Sequence, residues 1–135
     1  MGLYIVPGGA EWSYHGFMRF RRRLAWAEGF DLFRCESYVD PVRDRPDYYM
    51  SPDFQTVIHE AHVIRWDDLK TPLRRLFTHS DCDGFLTPKE CVNMVDRLET
   101  IVESFPDGDY DKQEGRKLVA GMRQSIESGK WMEFR

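Results

Sequence analysis

The feature that most constrains this chain is a sharp turn followed by a defined helix start, in residues 79–90 (HSDCDGFLTPKE). Gly84 stands where the turn needs a backbone conformation that other residues resist. Thr87 and Glu90 have the spacing of a capping box, in which each side chain bonds the other residue's backbone N–H, and Pro88 suits the first helical position. The pattern therefore predicts a loop that ends in a firmly capped helix.

Apolar residues recur at helical spacing on both sides of this loop. Leu73, Leu76 and Phe77 predict a short helix before it. The apolar stripe over residues 88–104 predicts a long amphipathic helix after it, and residues 112–128 predict another beyond an acidic turn. The loop therefore belongs to a helix-loop-helix unit.

The same loop matches the calcium-binding pattern D-x-[DN]-x-[DN]-G-x5-E at every fixed position except the first. Ca²⁺ takes six to eight oxygen ligands in such loops. The first position is His79, and an imidazole there removes one charge and one oxygen, which predicts weak binding. A metal-free turn with a capping box is the preferred interpretation, because acidic side chains also stabilise turns and cap helices, and a weak divalent-cation site is the alternative. The candidate ligands are Asp81, Asp83, Thr87, Glu90 and the backbone carbonyl of Phe85.

Two further metal patterns are weaker. His79, Cys82 and Cys91 are residue types that bind Zn²⁺, but their spacing matches no common zinc module, and Cys91 lies in the first turn of an apolar helix. A buried thiol is the better interpretation of Cys91. His59 and His62 are three residues apart, whereas the zinc-protease motif needs four, so the sequence does not predict a catalytic zinc site.

The N-terminal part predicts a strand at residues 3–6 and a helix that begins after Ser13 and stops at Gly29. One face of this helix is apolar and the other carries arginines. Arginine clusters are usually solvated helix faces, although they can also meet an acidic partner. The apolar face contains Phe17, Phe20, Leu24 and Ala27, and the basic face contains Arg19, Arg21, Arg22 and Arg23.

Residues 31–54 are punctuated by prolines and predict a long ordered loop. Residues 55–64 predict a short strand, with a short helix as the alternative. Loops of this length in compact domains are often functional. We therefore expect a contact surface here and on the basic helix face. The candidate partner-binding residues are Arg19, Arg22, Arg23, Tyr38, Tyr48 and Tyr49.

Composition bounds the protein class. With 135 residues, 41% hydrophobic, the chain fits one folded domain, and its apolar runs are too short to cross a bilayer. A net charge of −4 disfavours a nucleic-acid partner. The first residues lack the basic and apolar regions of a signal peptide, and three cysteines leave a free thiol, so we expect a cytoplasmic location.

Three segments resemble a group of small actinobacterial and actinobacteriophage proteins without an assigned activity. These are residues 12–21 (WSYHGFMRFR), the HSDCDG loop, and residues 110–134, whereas residues 31–65 look like an insertion. The resemblance implies a phage or mobile-element context. The loop and its flanking helices also resemble a degenerate single EF-hand, from which His79 departs.

The sequence predicts a mainly helical α+β domain with an EF-hand-like helix-loop-helix and a few short strands, at the termini and near 55–64. No activated nucleophile or phosphate-binding glycine loop stands out. The expected function is that of a non-enzymatic phage or mobile-element accessory protein that binds another protein, which in a phage context is a host protein, with no membrane partner and no cofactor. The alternatives are a weak Ca²⁺-binding module and a small metal-dependent hydrolase.

Overall fold

The computed structural model of the protein describes residues 2–36, 38 and 63–135. Four α-helices and a four-stranded antiparallel sheet make these residues a small, mainly helical α+β domain, which confirms the predicted fold class. The strands are β1 (Gly2–Val6), β2 (Ala10–Ser13), β3 (Gly84–Leu86) and β4 (Met132–Phe134). The helices are α1 (Tyr14–Ala27), α2 (Arg74–Phe77), α3 (Pro88–Ser104) and α4 (Tyr110–Ser128). Short 3-10 helices lie at Leu32–Arg34 and Trp66–Asp68.

The strand order is β2-β1-β4-β3, so that β4 lies between the N-terminal hairpin and the strand of the loop. Ile5 pairs with Phe134, and Phe85 pairs with Glu133. Alternate residues of each strand point to the helices, because side chains alternate between the two faces of a sheet. The buried strand residues that result are Leu3, Ile5, Ala10, Trp12, Leu86, Met132 and Phe134.

The turn between β1 and β2 packs directly on α4. Gly8 has a φ of 105°, and a Cβ atom at Gly121 would overlap the carbonyl oxygen of Pro7. The two backbones therefore approach too closely for side chains, which only glycine permits. This contact fixes the hairpin against the helix.

The expected periodicity of α1 is confirmed for three of its four apolar positions. Phe17, Phe20 and Leu24 are fully buried, whereas Ala27 is exposed. Arg21, expected on the solvated face, is only 1% exposed. It follows Phe17 by four residues and precedes Leu24 by three, and residues at this spacing share one helix face. The expectation of a solvated Arg21 was therefore wrong.

Of the segment 31–65, the structure describes residues 31–36, 38 and 63–65. Cys35 and Ile64 form an isolated parallel bridge, with Ile64 N donating to Arg34 O at 2.8 Å. The candidate partner residues Tyr48 and Tyr49, His59 and His62, and residues 55–62 of the predicted strand lie outside the described residues. None of the helices that the structure describes is long and apolar enough to cross a membrane.

Candidate functional site

The predicted helix-loop-helix forms from α2, the loop and α3. Thr87 Oγ1 accepts from Glu90 N at 3.1 Å and Glu90 Oε1 accepts from Thr87 N at 2.9 Å, so the capping box is confirmed. Gly84 has a φ of 114°, and Leu86 is fully buried. The loop's strand pairs with β4 rather than with a second calcium loop.

His79, at the first loop position, lies inside the loop. The residue is 5% exposed and its ring packs on Phe134 with the centroids 4.0 Å apart. Its Nδ1 lies 2.8 Å from Ser80 O and its Nε2 lies 3.1 Å from Phe85 O. Burial lowers the pKa of His79, and the two carbonyl contacts, which act to raise it, do not offset this effect. A neutral ring has one N–H and therefore donates to one of the two carbonyls.

Arg75 takes up two more of the expected calcium ligands. Its Nε donates to Glu90 Oε2 at 2.7 Å and its Nη2 approaches Phe85 O at 3.4 Å. Partial burial alone would raise the pKa of Glu90, but the Thr87 N–H and the Arg75 guanidinium together lower it. Arg75 and His79 thus form hydrogen bonds with the Glu90 and Phe85 oxygens that would coordinate a calcium ion.

The remaining loop oxygens do not complete a metal cage. Asp83 Oδ1 accepts from Ser80 Oγ at 3.0 Å, and Asp81 lies half-buried at the edge of a cavity. Among residues 2–36, 38 and 63–135 no three His, Cys, Asp or Glu side chains come together as a metal site would require. Calcium could bind this loop only after the contacts of Arg75 and His79 had broken, so the residues in this arrangement do not fit the ion.

The cysteines are also poorly suited to binding a metal ion. Burial raises the pKa of Cys91 to about 11 and that of Cys35 to about 12, so both thiols stay protonated at neutral pH. Cys82 is exposed. Zinc binds cysteine as the thiolate, so the raised pKa values make loss of the thiol proton to a zinc ion more costly for Cys35 and Cys91.

Two arginines among the candidate partner-binding residues are bound within the protein. Arg22 donates to both carboxylate oxygens of Asp31, at 3.1 and 3.0 Å. Arg23 donates to Asp109 at 2.9 Å and to Asp111 at 2.7 Å, and its guanidinium lies 3.9 Å from the Phe105 ring centroid. These contacts tie α1 to the start of α4 and to the segment after α1.

Two other candidate partner-binding residues, Tyr38 and Arg19, differ in their exposure to solvent. Tyr38 is half-buried, and its hydroxyl donates to Phe77 O at 2.8 Å. Arg19 is exposed. Of the candidates that the structure describes, Arg19 alone presents an exposed side chain to solvent.

Arg21 makes buried contacts that the sequence did not predict, and its guanidinium lies over the Phe17 ring, 4.6 Å from the ring centroid. Its Nη1 donates to the carbonyl oxygens of His79 at 2.5 Å and Leu76 at 3.4 Å, while its Nε is buried without an acceptor. Burial lowers the pKa of Arg21, although Tyr38 and Asp81 act in the opposite direction. A cavity of about 240 Å³ lies beside this side chain.

A second unpredicted feature is an exposed pair of aromatic rings, which we name the aromatic ridge: Phe85 of β3 and Trp131 beside β4. Phe85 is 51% and Trp131 60% exposed, and their ring centroids are 6.2 Å apart at an interplanar angle of 68°. Beside Trp131 lies a groove of about 700 Å³, whose lining includes Pro7, Glu127 and Lys130. Strand alternation could have found the ridge, because Met132 and Phe134 face inward and so place Trp131 outward.

The chain was compared with protein-family models, curated proteins and solved structures, and none of the three comparisons gives a match.

Proposed function

We propose that the protein is a non-enzymatic accessory protein of a phage or mobile element that acts by binding another protein. The aromatic ridge is the observation that carries this proposal. The resemblance of three segments to actinobacteriophage proteins supplies the setting, and in that setting the partner is a protein of the host cytoplasm.

Exposed aromatic rings support protein binding on energetic grounds. Phe85 and Trp131 each expose more than half of their surface to solvent. Covering this apolar surface with a partner would remove it from water, which is energetically favourable. Tryptophan and tyrosine are the residues that most often dominate binding energy at interfaces, with phenylalanine also enriched there. The ridge is held by paired strands, so little conformational entropy is lost on docking.

The surroundings of the ridge have the composition of an interface rim. Polar and charged side chains line the adjacent groove, and Glu133 pairs with Arg135 at 3.2 Å. Interfaces place such residues around an apolar centre, where they exclude water and contribute little energy themselves. The charges of the rim are mixed, which favours a partner surface that is mainly apolar.

The basic face of α1 is the weaker alternative surface. Arg22 and Arg23 are held by Asp31, Asp109 and Asp111, and a partner would have to compete with these carboxylates. The aromatic ridge has no comparable internal competitor, because each ring leaves more than half of its surface in solvent.

The test is affinity capture from an actinobacterial lysate with three immobilised baits: the parent protein, Trp131→Ala and Trp26→Ala. Trp26 is 55% exposed on α1, so its removal is a matched control for the loss of an exposed tryptophan elsewhere. We expect one protein to be retained by the parent and by Trp26→Ala and lost by Trp131→Ala. With that protein purified, Trp131→Ala should raise Kd by about 30-fold or more, the effect of losing a hot-spot residue.

Circular dichroism controls for folding. Because Trp131 is mostly exposed, Trp131→Ala should keep the parent's spectrum and its Tm to within a few degrees. If no protein is retained reproducibly, or if Trp131→Ala retains its partner as well as Trp26→Ala does, the aromatic ridge is not a protein-binding surface.

A further inference from the structure

Glu133 places a carboxylate within the exposed apolar surface of the aromatic ridge. It lies directly opposite Phe85 on one neighbouring strand and Val6 on the other. Directly opposite residues of neighbouring strands hold their side chains on the same face of the sheet, with Cβ atoms about 5 Å apart. Trp131, two residues before Glu133, lines the same groove as Glu133. A partner that covers the ridge therefore covers this carboxylate as well.

Arg135 satisfies Glu133 only in part. Arg135 Nη2 donates to Glu133 Oε2 at 3.2 Å, and no described residue donates to Glu133 Oε1. The side chains of Arg135 and Glu133 are 57% and 41% exposed, and exposed ion pairs of this kind contribute little to stability. Water is thus left to hydrate Oε1 in the free protein, and a partner that covers the ridge removes it.

A carboxylate that loses its water needs a new hydrogen-bond donor. Burying a charged group is costly unless the group is paired and hydrogen-bonded. A wholly apolar partner surface would leave Glu133 Oε1 without a donor, and this cost would oppose binding. A cationic donor from the partner gives the strongest hydrogen bond to a carboxylate.

The charges that line the adjacent groove also favour a cation. Glu127 and Glu133 contribute two negative charges and Lys130 one positive charge. Among the described residues, no oppositely charged side chain lies within ion-pair distance of Glu127 or of Lys130, and both are exposed. The groove lies at the C-terminal end of α4, whose last turn carries no basic residue, and helix C-termini favour cations. One positive charge from a partner would balance the side chains that line the groove.

Arginine fits this position better than lysine. Its planar guanidinium stacks on aromatic rings and offers several donors in one plane, whereas the lysine ammonium is a compact, strongly hydrated charge. Trp131 is 60% exposed, and tryptophan is the best aromatic partner for a cation. Arginine is also enriched at protein interfaces.

We propose that the partner of the aromatic ridge presents one arginine within a mainly apolar surface, and that this arginine binds Glu133 Oε1 and lies against Trp131. The inference rests on the proposed function, because it names the chemistry of the partner at the same surface. An acidic residue at this position of a partner would meet the carboxylates of Glu127 and Glu133, so like charges reject it.

The primary test selects binders from a random library of dodecapeptides displayed on mRNA, with the immobilised parent protein as bait. Peptides that also bind Trp131→Ala are removed. We expect the remaining peptides to share an arginine flanked by apolar residues. If the remaining peptides lack a shared arginine, or if no peptide requires Trp131, the proposal is overturned.

Two variants test the assignment to Glu133. Glu133→Gln removes the negative charge and should raise the Kd of a selected peptide roughly tenfold or more, the effect of breaking a covered charge pair. Glu103→Gln is the matched control, because Glu103 is 46% exposed and pairs with Arg116 away from the ridge, so its Kd should equal that of the parent. Both variants should keep the parent's circular dichroism spectrum, since both carboxylates are largely exposed. Equal Kd values for Glu133→Gln and Glu103→Gln contradict the proposal.

Replacing the peptide's arginine by citrulline, which keeps its shape without its charge, completes a double-mutant cycle. The replacement should weaken binding to the parent and have a several-fold smaller effect on binding to Glu133→Gln, because two groups in contact are energetically coupled. An effect of equal size on both proteins would show that the arginine does not contact Glu133, which overturns the proposal.

Affinity capture separates this proposal from the proposed function. If capture identifies a partner that requires Trp131, and Glu133→Gln binds that partner with the parent's Kd, the ridge is a protein-binding surface and the arginine inference alone fails. If capture identifies no partner, the proposed function fails, and the peptide selection still decides which chemistry the ridge binds.

Discussion

Gly121→Ala tests whether the turn of the β1–β2 hairpin and α4 are in backbone contact. Gly121 lies within α4, and a Cβ atom there would overlap the Pro7 carbonyl oxygen and lie 2.9 Å from the Pro7 carbonyl carbon. Two effects oppose each other. Alanine favours a helix over glycine by about 1 kcal/mol, whereas forcing an atom into a packed contact costs about 1–3 kcal/mol, or more when backbone must move.

The steric cost should win, because the Pro7 carbonyl cannot escape by changing a rotamer. We expect a net loss of about 1–3 kcal/mol in the free energy of unfolding, which lowers Tm by roughly 3–12 °C for a chain of this size. Pro7 and Gln124 line the groove beside the aromatic ridge, so the displaced turn should also weaken partner binding.

The matched control is Gly115→Ala in the same helix. A Cβ atom there would meet the Val102 methyl carbons at 2.8 and 3.0 Å, and a side chain can shift more readily than a carbonyl. We expect the control to change the free energy of unfolding by less than Gly121→Ala does. Urea denaturation followed by circular dichroism measures both variants. If Gly121→Ala is as stable as the parent, the backbone contact is not present in solution.

Two further predictions concern the loop. Calcium at about 1 mM should give the same Tm as EDTA, because calcium binding would have to break the Arg75–Glu90 and His79–Phe85 contacts. Only an ion that binds the native state raises its stability. A concentration-dependent rise in Tm that Asp83→Ala abolishes would contradict this prediction. His79 should titrate below its ordinary pKa of 6.5 when its ring protons are followed by NMR, since burial disfavours the charged ring. As pH falls through 6.5 the unfolded chain then takes up a proton before the folded one does, so the His79 contribution lowers stability in that range; titration above 6.5 would show that the ring donates to both carbonyls.

Local features of the fold could be predicted from the sequence. The capping box of Thr87 and Glu90 and the long helices that became α3 and α4 depend on neighbours within a few residues, so their spacing was sufficient. The burial of Arg21 was also visible in the spacing from Phe17, but the charge of the residue directed the interpretation to solvent.

Contacts between distant residues could not be predicted in the same way. Arg23 pairs with Asp109 and Asp111, which lie more than 80 residues further along the chain, so its role in holding α4 leaves no local signal. Strand β2 was missed although its residues, Ala-Glu-Trp-Ser, alternate between apolar and polar, because four residues are too few to distinguish a strand from the start of the next helix without their pairing with β1. The contact of Arg75 with Glu90 likewise depends on how the loop closes.

The position of β4 has a consequence for how the aromatic ridge can be recognised. Phe85 and Trp131 are far apart in the chain, and they become neighbours only when β3 pairs with β4. The ridge is thus a discontinuous epitope that no short peptide of this chain can reproduce. Because β3 and β4 are joined through two long helices, we expect their pairing, and with it the ridge, to require that most of the domain has folded. A partner that binds the ridge would therefore distinguish completed molecules from unfinished ones.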